Sequence, residues 1–500
     1  MAGVRRALLF NAGERYICLA ISFLMIFAIS RLLTPTEIGL SVIGIGIMTL
    51  ALALREFASS EFLIQREEVT RLDIRTAFTI LFLLYGVIAA VLVPLAPWLA
   101  TAYGEPGLSL YMYLIIAAGL LDTLSMPIMA LLRRNMAFDL IAVINIVVAV
   151  AGAGTTIALA ALGFGFMSFA WAWLASSIAT SLLALYFRPY WWMFVPTLAS
   201  WRSTLNFGGY NGATTALQRF YEALPQLVLG RILSPDVVAF YNRSGMVVGL
   251  PDRIILAGIF SVAFPAFATE VRQGNNVKGA YLQALSHITV LHWPALLLLT
   301  VLAHPTVMVL MGQQWTGIVP LVQMMAMACL FWFPMVLTQP VLVAMGALHD
   351  NFMAKLISIS VCTVVLCGAS FFSIEAMAAS QFFTIPFQMI VALFFVRRHI
   401  PFGWGEVARA VWKSAVVSAF CLLGPLAIIA LNGFQMPLAD AIDACLLSAL
   451  GWAVGLWLTR HPFLAELSSL VRAARRSGAV QRLCRTVQRR AGHLLRAYVG

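Results

Sequence analysis

The chain has 500 residues, of which 62% are hydrophobic and only 10% charged, with a net charge of +12. That composition lies far outside the range of soluble domains. The basic residues are spread over connections between apolar stretches, which argues against a nucleic-acid-binding function and for contact with anionic lipid headgroups.

Apolar stretches of about twenty residues, enough to cross a bilayer as a helix, recur from end to end. The pattern predicts an all-α polytopic membrane protein with fourteen spans, near 14–33, 38–60, 76–102, 108–132, 138–162, 165–187, 204–230, 237–263, 281–303, 318–345, 352–374, 376–396, 409–431 and 438–459. Arg5 and Arg6 precede the first span as in a signal peptide, but the apolar run from Tyr16 to Leu33 is long and lacks a clear small-residue cleavage site, so it reads as a retained span. Cations then fall in every second connection: Arg66, Arg71 and Arg75 after the second span, Arg133 and Arg134 after the fourth, and Arg188 and Arg202 after the sixth. Arg272 and Lys278 follow the eighth, Lys355 the tenth, and Arg397, Arg398, Arg409 and Lys413 the twelfth. The positive-inside rule therefore places both termini in the cytoplasm. Residues 461–500 form a basic cytoplasmic tail, either an amphipathic helix on the inner leaflet or a solvated segment. The seven cysteines are scattered without a CxxC, which predicts neither disulfides nor a structural metal site.

An internal repeat organises the spans. The first ends in Arg31 within RLLTPTEIGL, and the seventh ends in Arg231 within RILSPDVVAF. Pro35 and Pro235 each close one helix and open the next, because proline is tolerated in the first helical turn and not in the interior. Two parallel six-helix repeats follow: residues 1–200 and 201–400, with spans 13 and 14 (401–460) appended. In parallel-repeat transporters the substrate path runs at the interface of the halves.

The strings SRLLTPTEIGL with REFASSEFLIQREE, PIMALLRRNMAF, and RILSPDVVAF continuing across the eighth span resemble the bacterial polysaccharide transporter family over roughly residues 5–460. This is the Wzx-type group of exporters of lipid-linked sugars, within the multidrug/oligosaccharidyl-lipid/polysaccharide exporter superfamily. The resemblance implies a two-lobed bundle in a bacterial inner membrane. Its implied action is alternating access, carrying an undecaprenyl-diphosphate-linked oligosaccharide from the cytoplasmic to the periplasmic leaflet. Its implied partners are that substrate, membrane lipids, a coupling ion (H⁺ or Na⁺) and polysaccharide polymerase or export machinery; no cofactor is implied.

Ionisable groups within the spans point independently to a polar path, since each costs roughly 2.5–3.5 kcal/mol near the bilayer centre. Asn211, Thr215, Gln218, Glu222 and Gln226 recur at helical spacing in the seventh span, with Arg219 beside them. The stripe lines a cavity or forms a helix–helix seam in which Arg219 and Glu222 pair at i, i+3. Arg55 in the second span and Arg243 and Arg253 in the eighth occupy equivalent halves of the repeat. With Arg219, they would give a cationic cavity suited to a diphosphate, because guanidinium binds phosphate oxygens through paired hydrogen bonds. Asp122, with no cation within a turn, pairs across helices or binds a coupling ion, and Glu222 is the second coupling candidate. Pro225 and Pro251 are candidate kinks. No constellation for covalent chemistry appears. The alternatives are an ion-coupled drug or cation antiporter, disfavoured because arginines dominate acids, and a membrane-embedded polymerase or glycosyltransferase, disfavoured because the external connections are at most about fifteen residues.

Overall fold

A computed structural model describes residues 2–58, 69–199, 201–256, 277–433 and 436–468, with side chains except at 2–12, 56–58, 202–211, 255–256 and 432. Every regular element among them is helical. The first half contains α1 (Ala2–Leu32), α2 (Pro35–Leu52) with a 3₁₀ turn at Ala53–Ala58, α3 (Arg71–Ala102), α4 (Gly107–Arg134), α5 (Phe138–Ala161) and α6 (Met167–Phe187). Then follow α7 (Trp201–Ile232), α8 (Pro235–Val248), a π turn at Asp252–Leu256, α9 (Val277–Val301), α10 (Ala303–Leu310), α11 (Val319–Ala328) and α12 (Met335–Ala344). The chain closes with α13 (Leu348–Ser370), α14 (Ile374–Ala379), α15 (Gln381–His399), α16 (Trp404–Asn432) and α17 (Leu438–Thr459).

Helix starts follow local chemistry. Thr34 and Glu37 form a reciprocal cap on α2: the Thr34 N–H donates to Glu37 Oε2 at 2.8 Å, and the Glu37 N–H donates to Thr34 Oγ1 at 3.3 Å. Thr70 and Asp73 repeat the device on α3. Pro35 and Pro235 sit in the first turns of α2 and α8.

Twelve stretches among the described residues are long and apolar enough to cross a membrane, which makes this a multi-pass membrane protein. They match the expected spans one to six and nine to fourteen. The seventh expected span is present as the 32-residue α7, whose polar residues lower its hydropathy. The eighth is regular only to Val248 and then breaks at Gly249 and Pro251 into the π turn; expected residues 257–263 lie outside the described residues.

Three details differ from expectation. The first helix starts at Ala2 rather than residue 14, because nothing in the preceding residues stops it. The tenth span is interrupted: Pro334 lacks an N–H and restricts the residue before it, so the helix tightens to a 3₁₀ turn at Cys329–Trp332 before α12. The connection after α6 is ordered. Its 3₁₀ turn at Trp191–Phe194 buries Met193, and Val195 O accepts from Arg75 Nε at 2.8 Å.

The described chain divides into two compact units. The first comprises Met1–Leu250 and Leu302–His399. Its main core joins Ile43, Met48, Tyr85, Tyr111 and Met112 to Leu229, Val238, Leu366 and Met377, so residues of both sequence halves share it. The second comprises Pro251–Val301 and Ile400–Gly500. Here α9 packs on α16 and α16 on α17, around Val290, Val417, Cys421 and Leu456. Gly451 lets α17 approach the backbone of α16 at Phe420 and Cys421. Residues 469–500 of the expected basic tail lie outside the described residues, as do Arg66 and Arg272.

Candidate translocation site

The first unit brings the two repeated hairpins into direct contact. α2 lies in the notch formed by the end of α7 and the start of α8. Gly39 faces the Pro235 backbone so closely that a Cβ there would overlap the Pro235 carbonyl; Gly46 meets Leu227 and Gly230 meets Ile43 and Val238. Tyr103 donates to the Leu227 carbonyl at 3.2 Å. These small residues permit close backbone approach where a side chain would hold the helices apart.

A second set of bonds locks the end of α1. Arg31 stacks over Phe27 at 3.7 Å and donates to Val309 O at 3.0 Å. Trp315 Nε1 donates to Ser30 O at 2.9 Å, and Gln314 Nε2 donates to Ser30 O and, at 3.1 Å, to Leu33 O. Trp315 is fully buried and packs edge-on against Phe240. Arg243 lies here, 5% exposed, its guanidinium 5.9 Å from the Trp315 ring and its Nη1 3.1 Å from Met246 Sδ.

The polar stripe forms a charged cluster farther along α7. Arg219 Nη1 lies 3.5 Å from Glu222 Oε2, and Gln218 Nε2 donates to Glu222 Oε1 at 3.0 Å. Arg219 and Glu222 are about half exposed, with side-chain values of 46% and 48%, so neither is sealed into a dry seam. Thr215 and Gln226 are partly buried on the same helix; Asn211 falls among the residues whose side chains lie outside the described set. α13 packs against α7, and its Lys355 interacts electrostatically with Glu222. Two cations thus share one carboxylate.

The 3₁₀ turn that carries Arg55 also packs against α7. Arg55 interacts electrostatically with Asp122 and Tyr85. The Asp122 carboxylate accepts from Trp173 Nε1 at 3.2 Å, so this acid is paired across helices. Of the four expected cations, Arg55 and Arg219 therefore stand on elements that touch. Arg243 is buried beside Trp315, and Arg253 is exposed in the π turn of the second unit.

Several polar groups escaped the sequence reading. Lys355 reads only as one of the alternating cations near the start of the eleventh span, without its interaction with Glu222. Gln388 donates to Tyr221 Oη at 3.3 Å and Gln381 donates to Tyr241 Oη at 2.9 Å. Gln381 and Gln388, seven residues apart on an apolar helix, carried the periodic signal that could have found them.

The helical architecture defines a multi-pass membrane protein whose fold has solved counterparts. It is similar to the lipid II flippase MurJ in an inward closed conformation (TM-score 0.71, 11% identity, covering 91% of this chain and 98% of that one). It is also similar to an inward-facing multidrug resistance MATE family transporter of the MOP superfamily (TM-score 0.58, 14% identity, covering 79% and 99%). By sequence, residues 28–320 match the polysaccharide biosynthesis protein family, and the chain belongs to that family. Among curated relatives, it is 25% identical over 320 residues to the lipopolysaccharide biosynthesis protein WzxC of Escherichia coli (strain K12), covering 63% of this chain and 64% of the relative. It is 21% identical over 313 residues to the teichuronic acid biosynthesis protein TuaB of Bacillus subtilis (strain 168), covering 62% and 65%. The chain thus spans just under two thirds of the length of these relatives.

Proposed function

We propose that the protein is a flippase that carries an undecaprenyl-diphosphate-linked oligosaccharide across a bacterial inner membrane. The observation that carries this reading is the Arg55 turn packed on α7, the helix that also bears the half-exposed Arg219–Glu222 pair with which Lys355 interacts, in a chain of the polysaccharide biosynthesis family. A membrane-embedded excess of cation over carboxylate suits a diphosphate and opposes a cationic drug. Fourteen spans, two six-helix lobes at 1–200 and 201–400, appended spans over 401–460 and cytoplasmic termini belong to the same proposal. It is supported by the alternating cations and the repeated hairpins. With that topology the Gly39–Pro235 contact seals the periplasmic side, and loading occurs from the cytoplasm.

The carboxylates give the cycle its chemistry. Glu222 and Asp122 hold Arg219 and Arg55 until a diphosphate competes for the guanidinium groups. Protonation of Glu222, or Na⁺ binding to it, frees Arg219 for phosphate, while Lys355 stabilises the ionised acid afterwards. The released glycolipid passes to polymerase or export machinery.

Replacing Arg219 by Ala on the chromosome tests the reading. A charge-assisted hydrogen bond is worth about 1.5–3 kcal/mol, so substrate affinity falls roughly 10- to 150-fold. Lipid-linked glycan accumulates on the cytoplasmic face while the variant inserts normally. Polymer output equal to wild type would remove Arg219 from the substrate path.

A further inference from the structure

A second ionisable pair involves none of the residues of the arginine-bearing cluster. In the second unit, His292 on α9 is 1% exposed, and its Nε2 lies 2.6 Å from Asp252 Oδ1. The approach is too oblique for a well-formed hydrogen bond, and among the described residues His292 Nδ1 has no partner either. Asp252 is 40% exposed, so the pair joins a buried imidazole to a carboxylate that opens outward.

Its setting is unusual. Asp252 opens a π turn, Asp252–Leu256, directly after Pro251 and the break at Gly249. Pro251 has no N–H to donate into the preceding turn, which loosens the helical ladder there. π turns recur where a helix is adapted to a function rather than to regular packing. Pro251 is also the residue at which the chain enters the second unit.

Among the described residues, the other titratable groups on the elements packed around the pair are few; His461 faces Ser286 and Glu466 faces His287, both on α9. On α9 the other titratable groups are Lys278, Tyr281 and His287, nearer its start, with Lys278 paired to Glu406 at 2.8 Å. On α16 the charged groups Glu406, Arg409 and Lys413 lie in its first turns, and only the Cys421 thiol follows. On α17, Asp440, Asp443 and Cys445 lie near its start. The π turn itself adds Arg253, which is exposed. A nitrogen and an oxygen this close repel unless a proton lies between them, so the contact depends on the proton count of the pair.

We propose that Asp252 and His292 form a proton-binding site whose occupancy sets the conformation of the Asp252–Leu256 turn. With the imidazole protonated, imidazolium and carboxylate attract and hold the turn. With that proton lost, the imidazole is neutral, the attraction weakens, and the turn is released to repack. The use of this proton to drive transport rests on the flippase reading. The protonation itself is measured on purified chain without substrate, so the two fail separately.

The experiment is amide hydrogen exchange on the full chain in lipid nanodiscs, between pH 5.5 and 8.5, corrected for intrinsic rates. In wild type, exchange across Asp252–Leu256 rises about tenfold from pH 5.5 to 8.5, a change of about 1.4 kcal/mol in the opening equilibrium. Asp252→Asn and His292→Gln each abolish the pH response while the exchange of α16 stays at its wild-type value. His292→Gln retains an amide at the buried position and stands alone if Asp252→Asn does not fold. Wild-type exchange that ignores pH, or a pH response kept in a folded His292→Gln protein, overturns the site.

Discussion

Gly39→Ala tests the helix crossing between the two repeated hairpins. A Cβ at Gly39 would overlap the Pro235 carbonyl and lie 3.0 Å from Pro235 Cα, against about 3.5–4.0 Å for relaxed carbon contacts. The obstructing atoms are backbone, so no rotamer change relieves the overlap, and α2 and α8 must separate by on the order of an ångström. Overpacking of this kind costs roughly 1–3 kcal/mol. If the cost falls only on the state with hairpins in contact, its population drops roughly 5- to 150-fold relative to states in which they part. The assay is labelling of a Ser41→Cys probe by a membrane-impermeant maleimide. Ser41 is 1% exposed, two residues from Gly39, and its carbonyl accepts from Tyr111 Oη at 3.3 Å. Gly39→Ala is expected to raise the labelling rate by the same factor, while Gly13→Ala, whose Cβ would meet nothing within 4 Å, leaves it unchanged. Labelling unaffected by Gly39→Ala would refute the idea that this crossing is closed by backbone contact.

Trp315→Phe keeps most of the buried ring but removes the indole donor to Ser30 O; the expected loss is about 1 kcal/mol, read as lowered thermal stability and faster labelling of the same probe. His461 makes a pH prediction. It follows α17 and is buried, with Nε2 3.1 Å from Ser286 Oγ and 3.2 Å from Ser414 Oγ, while Phe463 N–H donates to Nδ1 at 3.2 Å. An accepting Nδ1 fixes the neutral ring with its proton on Nε2. Burial, followed by the nearby charges of His287 and Lys413, pushes its pKa down from 6.5 to about 4. The unfolded chain therefore binds the proton more readily, so this stabilisation is complete above pH 6.5 and is lost as pH falls toward 4, by up to about 3 kcal/mol. His461→Gln should flatten the pH dependence of melting of the second unit between pH 7.5 and 5; an unchanged slope would contradict the assignment.

The sequence disclosed elements better than their meetings. Hydropathy gave the helical class because a bilayer leaves the backbone few other ways to satisfy its hydrogen bonds. RLLTPTEIGL and RILSPDVVAF marked two hairpins through their prolines, but nothing in either string stated that one would sit in the notch of the other. That depends on Gly39, Gly46 and Gly230, whose absent side chains leave no hydropathy signal. The Arg219–Glu222 pair was legible because both residues lie on one helix, three positions apart. The Lys355 contribution was not, since it arrives from another helix. Arg243 lies buried beside Trp315 and Met246, and the Trp315 contact, made by a residue distant in sequence, was not legible from its own span.

The buried Arg243 also bears on how the hairpin contact is maintained. A charge enclosed by an indole ring and a thioether is poorly compensated, so its burial opposes the packing around it. The bonds from Arg31, Gln314 and Trp315 to main-chain carbonyls act in the other direction, and each stabilises by about 1 kcal/mol or somewhat more where the donor is charged. Opposing terms of similar size keep a contact from becoming permanent. Under the flippase reading, that balance lets the hairpins part when substrate binding favours the alternative state. Replacing Arg243 by Met, similar in length and without charge, should therefore strengthen the closed contact and slow labelling of Ser41→Cys. Faster labelling would mean that the guanidinium supports the packing rather than opposing it.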